Sequence, residues 1–294
     1  MVKRSTILHE VEHIEDEQQP LAPAPPSFTA PDALAADTIA QFGDDPDFVT
    51  ALARGLAVLL ALSDKRRRMS IAQVSHRTGI PRAAARRSLH TLSKLGFVAA
   101  DESRRFYLRP RVLSFSHAYL SASPIAVLAQ PILDRLGESL HEACSLATLD
   151  GDEIVYIARS TSSRIMSPSL NVGRRLPAYC TSMGRVLLAS LAPGELAAHF
   201  ERVKPVAYTQ YTLTSRDKLA KAIDAVREQG YSIVDQELEV GLRSIAVPVM
   251  DASGKAVAAI NIGAQASRAS ARHMQQEFLP PLKAAARELS LLLA

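Results

Sequence analysis

The sequence predicts an α+β protein with two domains, a small helical domain that ends in a β-hairpin and a larger domain of mixed strands and helices. Three observations support this prediction. A short helix, a glycine turn and a second helix follow one another between residues 70 and 95. After residue 123, hairpin sequences and amphipathic helices succeed one another. The chain has 294 residues, 47% of them hydrophobic, which is enough for two cores.

Residues 1–47 predict a disordered, acidic, proline-rich tail. They contain ten Asp and Glu against Lys3 and Arg4, and therefore carry a net charge of −8. Such a segment cannot bury enough apolar surface to offset its ordering entropy. Two interpretations stay open, a tolerated extension and a tail that competes with nucleic acid for a basic surface.

Residues 48–63 predict the first helix of the small domain, because apolar residues recur there at helical spacing. The predicted core-facing stripe consists of Phe48, Leu52, Leu56, Leu59 and Leu60. The basic run at residues 65–68 follows in a loop, where it is either solvated or in contact with phosphate.

Residues 70–94 predict a helix-turn-helix. Ser70 and Gln73 form a capping box, and Gly79 suits the left-handed end of that helix. Pro81 suits the start of the second helix. One face of this helix carries Ala85, Ser88, Leu89, Leu92 and Leu95. The opposite face is a cationic stripe that carries Arg82, Ala83, Arg86, Arg87, His90 and Lys94.

Residues 96–100 and 105–108 predict two short strands, which would complete a winged helix-turn-helix. Between residues 64 and 111, 13 Lys and Arg outnumber 3 Asp and Glu, a local excess of +10 in a chain of net charge +4. This excess indicates a polyanionic partner, double-stranded DNA. Arg104 and Arg105 at the wing tip would contact phosphate or the minor groove. The predicted DNA-contact residues are Ser70, Arg82, Arg86, Arg87, His90, Lys94, Arg104 and Arg105.

The predicted domain limits follow from these elements. The winged helix-turn-helix spans residues 48–109, a connecting helix spans residues 110–122, and the larger domain spans residues 123–294. Its predicted helices are residues 125–140, 193–203, 214–229 and 271–293. Its predicted strands are residues 143–149, 153–160, 165–172, 231–235, 244–250 and 256–262.

Composition argues against several other classes of protein. No apolar run approaches the roughly 18 residues that a membrane span needs, and acidic residues replace the apolar core of a signal peptide. We therefore expect a cytoplasmic protein without a membrane partner. Cys144 and Cys180 are interpreted as buried thiols rather than as metal ligands or a disulfide. No glycine-rich phosphate-binding motif is present, and we expect no cofactor and no metal.

The order of helix-turn-helix, wing, connecting helix and C-terminal domain resembles the IclR family of bacterial transcriptional regulators, over residues 48–294. Residues 52–59 (LARGLAVL) are similar to that family's opening helix, and residues 95–98 (LGFV) to its entry into the wing. Residues 176–189 and 241–246 resemble its sensor-domain signatures. Residues 179–185 (YCTSMGR) are similar to the branch that controls breakdown of p-hydroxybenzoate, protocatechuate and β-ketoadipate.

This resemblance implies a GAF-like sensor domain, a homodimer or homotetramer, and control of an operon, with RNA polymerase as a further candidate partner. By matching motif to motif, it implies a pocket lined by Thr181, Ser182, Met183, Gly184, Asp235, Ser244, Asn261 and Gly263. The residues themselves suggest an anion site, since the helix start at Thr181 offers free amides and Arg174, Arg175 or Arg243 could bind a carboxylate. In the alternative, Thr181 only caps a helix and the arginines pair with Glu237 or Glu239.

The predicted function is a DNA-binding transcriptional activator that responds to a small aromatic or dicarboxylic acid of the β-ketoadipate pathway. One alternative is an IclR-type repressor of another carboxylic-acid operon. A second is an enzyme with a nucleophile at Cys180 or Ser182, although no base or orienting acid stands at an informative spacing. A third is an architectural nucleic-acid binder, which leaves the C-terminal domain unexplained. We therefore predict no enzyme activity and no catalytic residue.

Overall fold

The computed structural model describes residues 35–63, 68–160 and 171–293, and it confirms the α+β class. The N-terminal domain contains α1 (Ala35–Ala40), α2 (Thr50–Leu62), α3 (Ile71–Thr78), α4 (Arg82–Lys94), β1 (Val98–Ala100) and β2 (Phe106–Leu108). The connecting helix α5 (Leu113–Ala122) follows. The C-terminal domain contains α6 (Pro124–Leu140), β3 (Ala143–Asp150), β4 (Glu153–Arg159), β5 (Arg175–Pro177), α7 (Ser182–Ala189), α8 (Pro193–Arg202), α9 (Arg216–Gln229), β6 (Ser232–Asp235), β7 (Leu242–Met250), β8 (Ala256–Gln265), α10 (Ala271–His273) and α11 (Leu279–Leu292).

The helix-turn-helix forms as its local sequence predicts. Ser70 Oγ accepts a hydrogen bond from the Gln73 N–H at 3.3 Å, and Gln73 Oε1 accepts one from the Ser70 N–H at 2.9 Å. Gly79 ends α3 with a left-handed φ of 70°. β1 and β2 pair antiparallel, with Val98 opposite Leu108, and form the wing. These confirmed features all depend on interactions between residues close in the chain.

The predicted core-facing stripe of α2 is wrong at three positions. Leu52, Leu56 and Leu60 are 62%, 51% and 44% exposed. The helix instead buries Ala53, Ala57, Val58, Ala61 and Leu62. Small side chains on this face let α2 pack closely against α4, and close packing selects this face over the bulkier one. Leu95, predicted to be in the core, is also exposed because α4 ends one residue before it.

The predicted disordered tail contains a helix within its last residues. Ala35 and Ile39 of α1 are buried in the same core as Ala53 of α2, so this part of the chain belongs to the folded domain. Residues 1–34 lie outside the described residues, as do residues 65–67 of the basic run. Residues 165–170 of the predicted third strand also lie outside them. In the structure, β4 pairs with β3 on one side and with β5 on the other.

The C-terminal domain is a six-stranded antiparallel sheet with helices on both faces. The strand order is β5-β4-β3-β8-β7-β6, so the two predicted hairpins, β3–β4 and β7–β8, lie side by side. On one face α6 and α11 bury Leu133 and Leu282 against Ile260 of the central strand. On the other face α7 and α9 bury Leu188 and Ile223. The sheet therefore separates two apolar layers.

The last predicted helix, residues 271–293, is divided. A π-helical turn at Met274–Phe278 separates α10 from α11. Pro280 and Pro281 follow this turn, and because proline has no N–H they cannot donate the regular helical bonds.

No single helix among the described residues is long and apolar enough to cross a membrane. The pair Pro110–Ala122 and Pro124–Leu140 meets that criterion only together and is bent by 82°.

The connecting helix is attached to the base of the wing. The rings of Phe97, just before β1, and Phe115, in α5, stack with their centroids 5.5 Å apart. The Arg111 guanidinium lies 5.3 Å from the Phe97 ring centroid and donates a hydrogen bond to the Leu95 carbonyl oxygen at 2.9 Å. The end of α4, the wing and α5 are thus joined by direct contacts.

Candidate functional site

The first candidate site is the exposed face of α4. Five predicted DNA-contact residues share this face and are all exposed, namely Arg82, Arg86, Arg87, His90 and Lys94. The opposite face buries Ala85, Leu89 and Leu92, which fixes the orientation of the helix on the domain. A helix that presents several cations on one rigid face can enter the major groove and reach base edges.

The wing supplies a second basic surface. Arg104 and Arg105 are exposed at its tip, and Arg104 has a left-handed φ of 56°. Asp101 holds the turn, since its Oδ1 accepts a hydrogen bond from the Arg105 N–H at 2.9 Å and its Oδ2 lies 3.0 Å from Arg68 Nη1. These hydrogen bonds, that of Arg105 above all, lower the pKa of Asp101. Arg68, from the predicted basic run, is therefore held beside the wing.

Ser70 differs from the other predicted DNA-contact residues. Its hydroxyl and its N–H both take part in the capping box of α3. Its position in the structure is thus explained by helix capping, which stabilises a helix by about 1 kcal/mol. The structure gives Ser70 this structural role at the start of α3.

The second candidate site is a cavity of about 420 Å³ in the C-terminal domain. Its wall is formed by β3, β4, β6, β7 and β8, by the start of α7, and by residues 238–241. These four residues belong to a loop, residues 236–241, which we call the cavity loop. Its lining residues are Ala143, Ser145, Tyr156, Arg159, Cys180, Thr181, Ser182, Met183, Val234, Leu238, Glu239, Val240, Gly241, Leu242, Ser244, Asn261, Gly263, Gln265 and Ser267. Small-molecule sites usually have volumes of roughly 300–1,000 Å³. This cavity is large enough for one small ligand.

Two buried polar atoms in the cavity wall lack a hydrogen-bond partner among the described residues. They are Ser182 Oγ and Asn261 Oδ1, in residues that are only 1% and 7% exposed. An unsatisfied buried polar group is costly, and most such groups in folded proteins are paired with protein, water or ligand. Both residues line the cavity, and the described residues leave the hydrogen-bonding capacity of these two atoms unused.

The N-terminus of α7 favours an anion in the cavity. Thr181 Oγ1 accepts a hydrogen bond from the Gly184 N–H at 3.2 Å and caps the helix. Ser182 and Met183, whose N–H groups have no carbonyl acceptor within the helix, both line the cavity. Arg159 at the end of β4 adds a positive charge to the same wall. Free amides at a helix start, together with a cation, suit a carboxylate or phosphate.

Six of the nine predicted effector-site residues line the cavity, and three do not. The six are Thr181, Ser182, Met183, Ser244, Asn261 and Gly263. Gly184 instead packs against the turn before α7, where a Cβ would lie only 2.1 Å from the Ala178 carbonyl oxygen. Asp235 and Arg243 pair with each other at 2.7 Å, outside the lining.

Two of the three arginines predicted to bind a carboxylate, Arg175 and Arg243, have other roles, and the third, Arg174, is not among the lining residues. Arg175 lies 2.5 Å from Asp150 and 2.7 Å from Glu153, and these contacts tie β5 to the β3–β4 hairpin. Arg243 donates hydrogen bonds to the carbonyl oxygens of Ala266, at 3.0 Å, and Ala269. The suggested pairing with Glu237 or Glu239 is wrong for Arg243, because the antiparallel register places Asp235 directly opposite it, and for Arg175, which pairs with Asp150 and Glu153.

We therefore expect Arg243→Ala to destabilise the C-terminal domain by about 1–3 kcal/mol, because it leaves two carbonyl groups of the chain after β8 without their donor. Asp235 is 46% exposed, so the ion pair itself contributes little. Urea unfolding measures the change. Arg216→Ala is the control, since the Arg216–Glu201 pair lies in solvent. Equal stability of the two variants would contradict this role.

Six polar cavity residues were not among the predicted effector-site residues, namely Ser145, Tyr156, Arg159, Glu239, Gln265 and Ser267. Ser145 on β3 and Tyr156 and Arg159 on β4 come from segments that carry no binding motif. Burial raises the pKa of Tyr156 to about 12, so its hydroxyl stays neutral and able to donate at neutral pH. The available signal was Ser145, a polar residue within the apolar strand ACSLATLD. Its partner strands could not be known in advance.

Comparison with known proteins identifies the domains. The model of the IclR helix-turn-helix domain matches residues 51–102, and the model of the bacterial transcriptional regulator IclR C-terminal domain matches residues 117–291. These ranges contain the α4 face and the cavity, respectively.

Two relatives and one solved structure extend this match. The Pca regulon regulatory protein of Pseudomonas putida is 52% identical over 91% of this chain and 91% of its own length. The p-hydroxybenzoate hydroxylase transcriptional activator of Acinetobacter baylyi is 38% identical over 83% and 91%. A crystal structure of the PobR inducer-binding domain from Acinetobacter, a double mutant in complex with 3-hydroxybenzoic acid, is 34% identical. It matches with a TM-score of 0.53 over 55% of this chain and 95% of that chain. The chain is thus a DNA-binding transcriptional regulator that belongs to the IclR family.

Proposed function

We propose that this regulator activates transcription when a small aromatic acid binds in the cavity, with p-hydroxybenzoate and protocatechuate ahead of β-ketoadipate. The observation that carries the proposal is the pair of buried atoms without partners, Ser182 Oγ and Asn261 Oδ1, on the wall of a 420 Å³ cavity. The carboxylate of such an acid fits the start of α7 and Arg159. Its ring fits apolar wall residues such as Met183 and Leu238.

The relatives support this ligand class. One is named for the control of p-hydroxybenzoate hydroxylase, and a double mutant of a PobR inducer-binding domain was solved with 3-hydroxybenzoic acid. A phenolic hydroxyl can donate the hydrogen bond that Asn261 Oδ1 lacks. A straight-chain dicarboxylate would bring a second negative charge instead, and Glu239 in the wall would repel it.

Ser182→Ala and Asn261→Ala should each weaken binding of p-hydroxybenzoate or protocatechuate by roughly 5- to 150-fold, the equivalent of about 1–3 kcal/mol for a lost hydrogen bond in a buried site. Isothermal titration on the full chain measures the affinity. Ser190→Ala is the control, because this serine lies at the far end of α7 and bonds to the Val186 carbonyl oxygen. If no aromatic acid binds the unmodified protein at millimolar concentration, the ligand class is wrong.

A ligand changes transcription only if it binds two conformations with different affinities. We place the transmitting element at α5, since the Phe97–Phe115 stack and Arg111 join this helix to the wing and to the end of α4. Transcription in vitro, with RNA polymerase and the operator fragment, distinguishes activation from repression. A rise in transcript on addition of the acid supports an activator that cooperates with RNA polymerase, and a fall supports the alternative, a repressor of a carboxylic-acid operon.

The structure favours a regulator without enzyme activity. Burial raises the pKa of the Cys180 thiol to about 12, so almost no nucleophilic thiolate exists at neutral pH. Ser182 Oγ has no hydrogen-bonded base among the described residues. His199 forms a pair with Asp152 at 2.9 Å, but neither of these residues lines the cavity. We expect aromatic acids to be recovered unchanged after incubation with the protein. We also propose that the protein and its DNA are located in the cytoplasm.

We also propose a homodimer, either alone or as the unit of a homotetramer, in which α2 of one protomer packs on α2 of its partner. Val49, Leu52, Leu56 and Leu60 form an apolar strip along the side of α2 that faces away from the core, and each is at least 44% exposed. Contiguous exposed apolar surface of this kind marks an interaction site. A second copy is the occupant because one recognition helix reads few base pairs and useful discrimination needs paired half-sites.

Leu56→Lys should therefore shift the protein to a smaller assembly and weaken operator binding, because a charge would be buried in the α2 contact. Analytical ultracentrifugation measures the assembly with and without DNA. Leu291→Lys is the control, since Leu291 is 78% exposed at the C-terminal end of α11. A monomeric unmodified protein that protects one short asymmetric site would contradict the dimer.

A further inference from the structure

A buried ion pair joins α7 to the cavity loop. Arg185 Nη2 lies 2.6 Å from Glu237 Oε2, and the two side chains are only 5% and 8% exposed. Arg185 Nε also donates a hydrogen bond to the Tyr179 carbonyl oxygen at 3.0 Å. Neither Arg185 nor Glu237 lines the cavity. The pair therefore lies behind the wall and not in it.

Glu237 connects the cavity loop to a third segment as well. Its Oε2 accepts a hydrogen bond from the Leu213 N–H at 3.0 Å, and its carbonyl oxygen accepts one from Thr212 Oγ1 at 2.6 Å. Thr209 Oγ1 donates to the neighbouring Gln236 carbonyl oxygen at 2.7 Å. A single buried carboxylate thus ties the loop both to the helix whose N-terminus faces the cavity and to the chain before α9.

The residues that follow Glu237 form one side of the cavity. Leu238, Glu239, Val240 and Gly241 all line it, yet Glu239, Val240 and Gly241 are exposed to solvent. The loop closes at its neck, where the Gln236 N–H donates to the Leu242 carbonyl oxygen at 2.8 Å and Gln236 Oε1 accepts from the Gly241 N–H. Glu237 is therefore the buried anchor of a segment whose tip separates the cavity from solvent.

A buried ion pair such as Arg185–Glu237 contributes little net free energy to folding. Removing two charges from water costs several kcal/mol, and replacing a buried pair by apolar residues of similar size is often neutral or stabilising. What a buried pair provides is one fixed geometry between the segments it joins. We infer that Arg185 and Glu237 are positioning residues that hold the cavity loop against the N-terminus of α7, and thereby set the affinity for the ligand without touching it. This inference rests on the ligand site of the proposed function.

The test uses Val240→Trp as a reporter of the loop, because the chain contains no tryptophan and Val240 is 65% exposed. Two changes are then added separately, Glu237→Gln, which keeps the shape of the side chain, and the apolar double variant Arg185→Met with Glu237→Leu. The matched control is Arg216→Met with Glu201→Leu, an ion pair of the same 2.6 Å length in solvent. Each full-length protein is measured for thermal unfolding and for acrylamide quenching of the tryptophan. Titration with p-hydroxybenzoate and protocatechuate uses the same variants with Val240 retained, because Val240 lines the cavity.

A positioning role predicts stronger quenching in both Glu237 variants, before any ligand is added, and ligand affinity reduced by roughly 2- to 30-fold, the range seen for coupled residues outside a site. The double variant should unfold at a lower temperature than the reporter protein, because it leaves the Leu213 N–H and the Tyr179 carbonyl oxygen without their partners. The control should match the protein with both ion pairs intact in every measurement. A lower unfolding temperature with unchanged quenching and affinity would overturn the inference and leave a structural role. If the unmodified protein binds neither acid, the proposed ligand class fails, while the quenching result still decides whether the pair holds the loop.

Discussion

Gly184→Ala is expected to destabilise the C-terminal domain by at least about 3 kcal/mol, the upper part of the range for overpacked sites. A Cβ at residue 184 would lie 2.1 Å from the Ala178 carbonyl oxygen and 2.4 Å from the Ala178 Cα. These are backbone atoms of the turn that precedes α7, and they cannot move aside as a flexible side chain could. Urea unfolding of the purified protein measures the loss, and ligand binding should fall with the folded fraction.

Gly194→Ala is the matched control, a second change from glycine to alanine in a helix of the same domain. No atom lies within 4 Å of a Cβ at residue 194, so we expect a change between zero and about 1 kcal/mol, in the stabilising direction. If Gly184→Ala were as stable as the control, α7 could not pack on the preceding turn as described. The start of this helix would then have no fixed place in the cavity wall.

Arg86→Ala and Arg87→Ala should each reduce affinity for the operator by about 1–3 kcal/mol, or roughly 5- to 150-fold, if the arginine reads a guanine. Both side chains lie on the exposed face of α4, next to its buried residues Ala85 and Leu89. The operator is recovered first by pull-down of genomic fragments. Fluorescence anisotropy with this fragment and with random DNA then measures specific and non-specific binding at one salt concentration.

The wing provides the comparison for this measurement. Arg104→Ala should weaken binding to operator and random DNA by the same factor, because phosphate contacts carry no sequence information. Arg272→Ala removes an equal charge from an exposed position of α10 in the other domain and should change neither affinity. Unchanged operator binding in both Arg86→Ala and Arg87→Ala would remove α4 from the role of recognition helix.

The sequence by itself determined the helix-turn-helix, the wing and both hairpins of the large sheet. Each depends on signals a few residues apart, such as Ser70 with Gln73, the left-handed Gly79, and the turn residues between β3 and β4. Local hydrogen bonds and backbone conformation decide these features, so they are readable before the chain folds. The resemblance to the family located the start of α7 in the same way, from one continuous segment.

Only the tertiary structure decided which surfaces meet. Helix α2 is apolar on two sides, and helical periodicity cannot say which side packs; close approach to α4 buries Ala57 and leaves Leu56 in solvent. The register of β6 and β7 places Asp235 opposite Arg243. Strands β3 and β4, which lie far from α7 in the sequence, contribute Ser145 and Arg159 to the cavity wall. Side chains that cooperate across a sheet are selected by strand order and register, and a one-residue change in register would move every one of them to the other face.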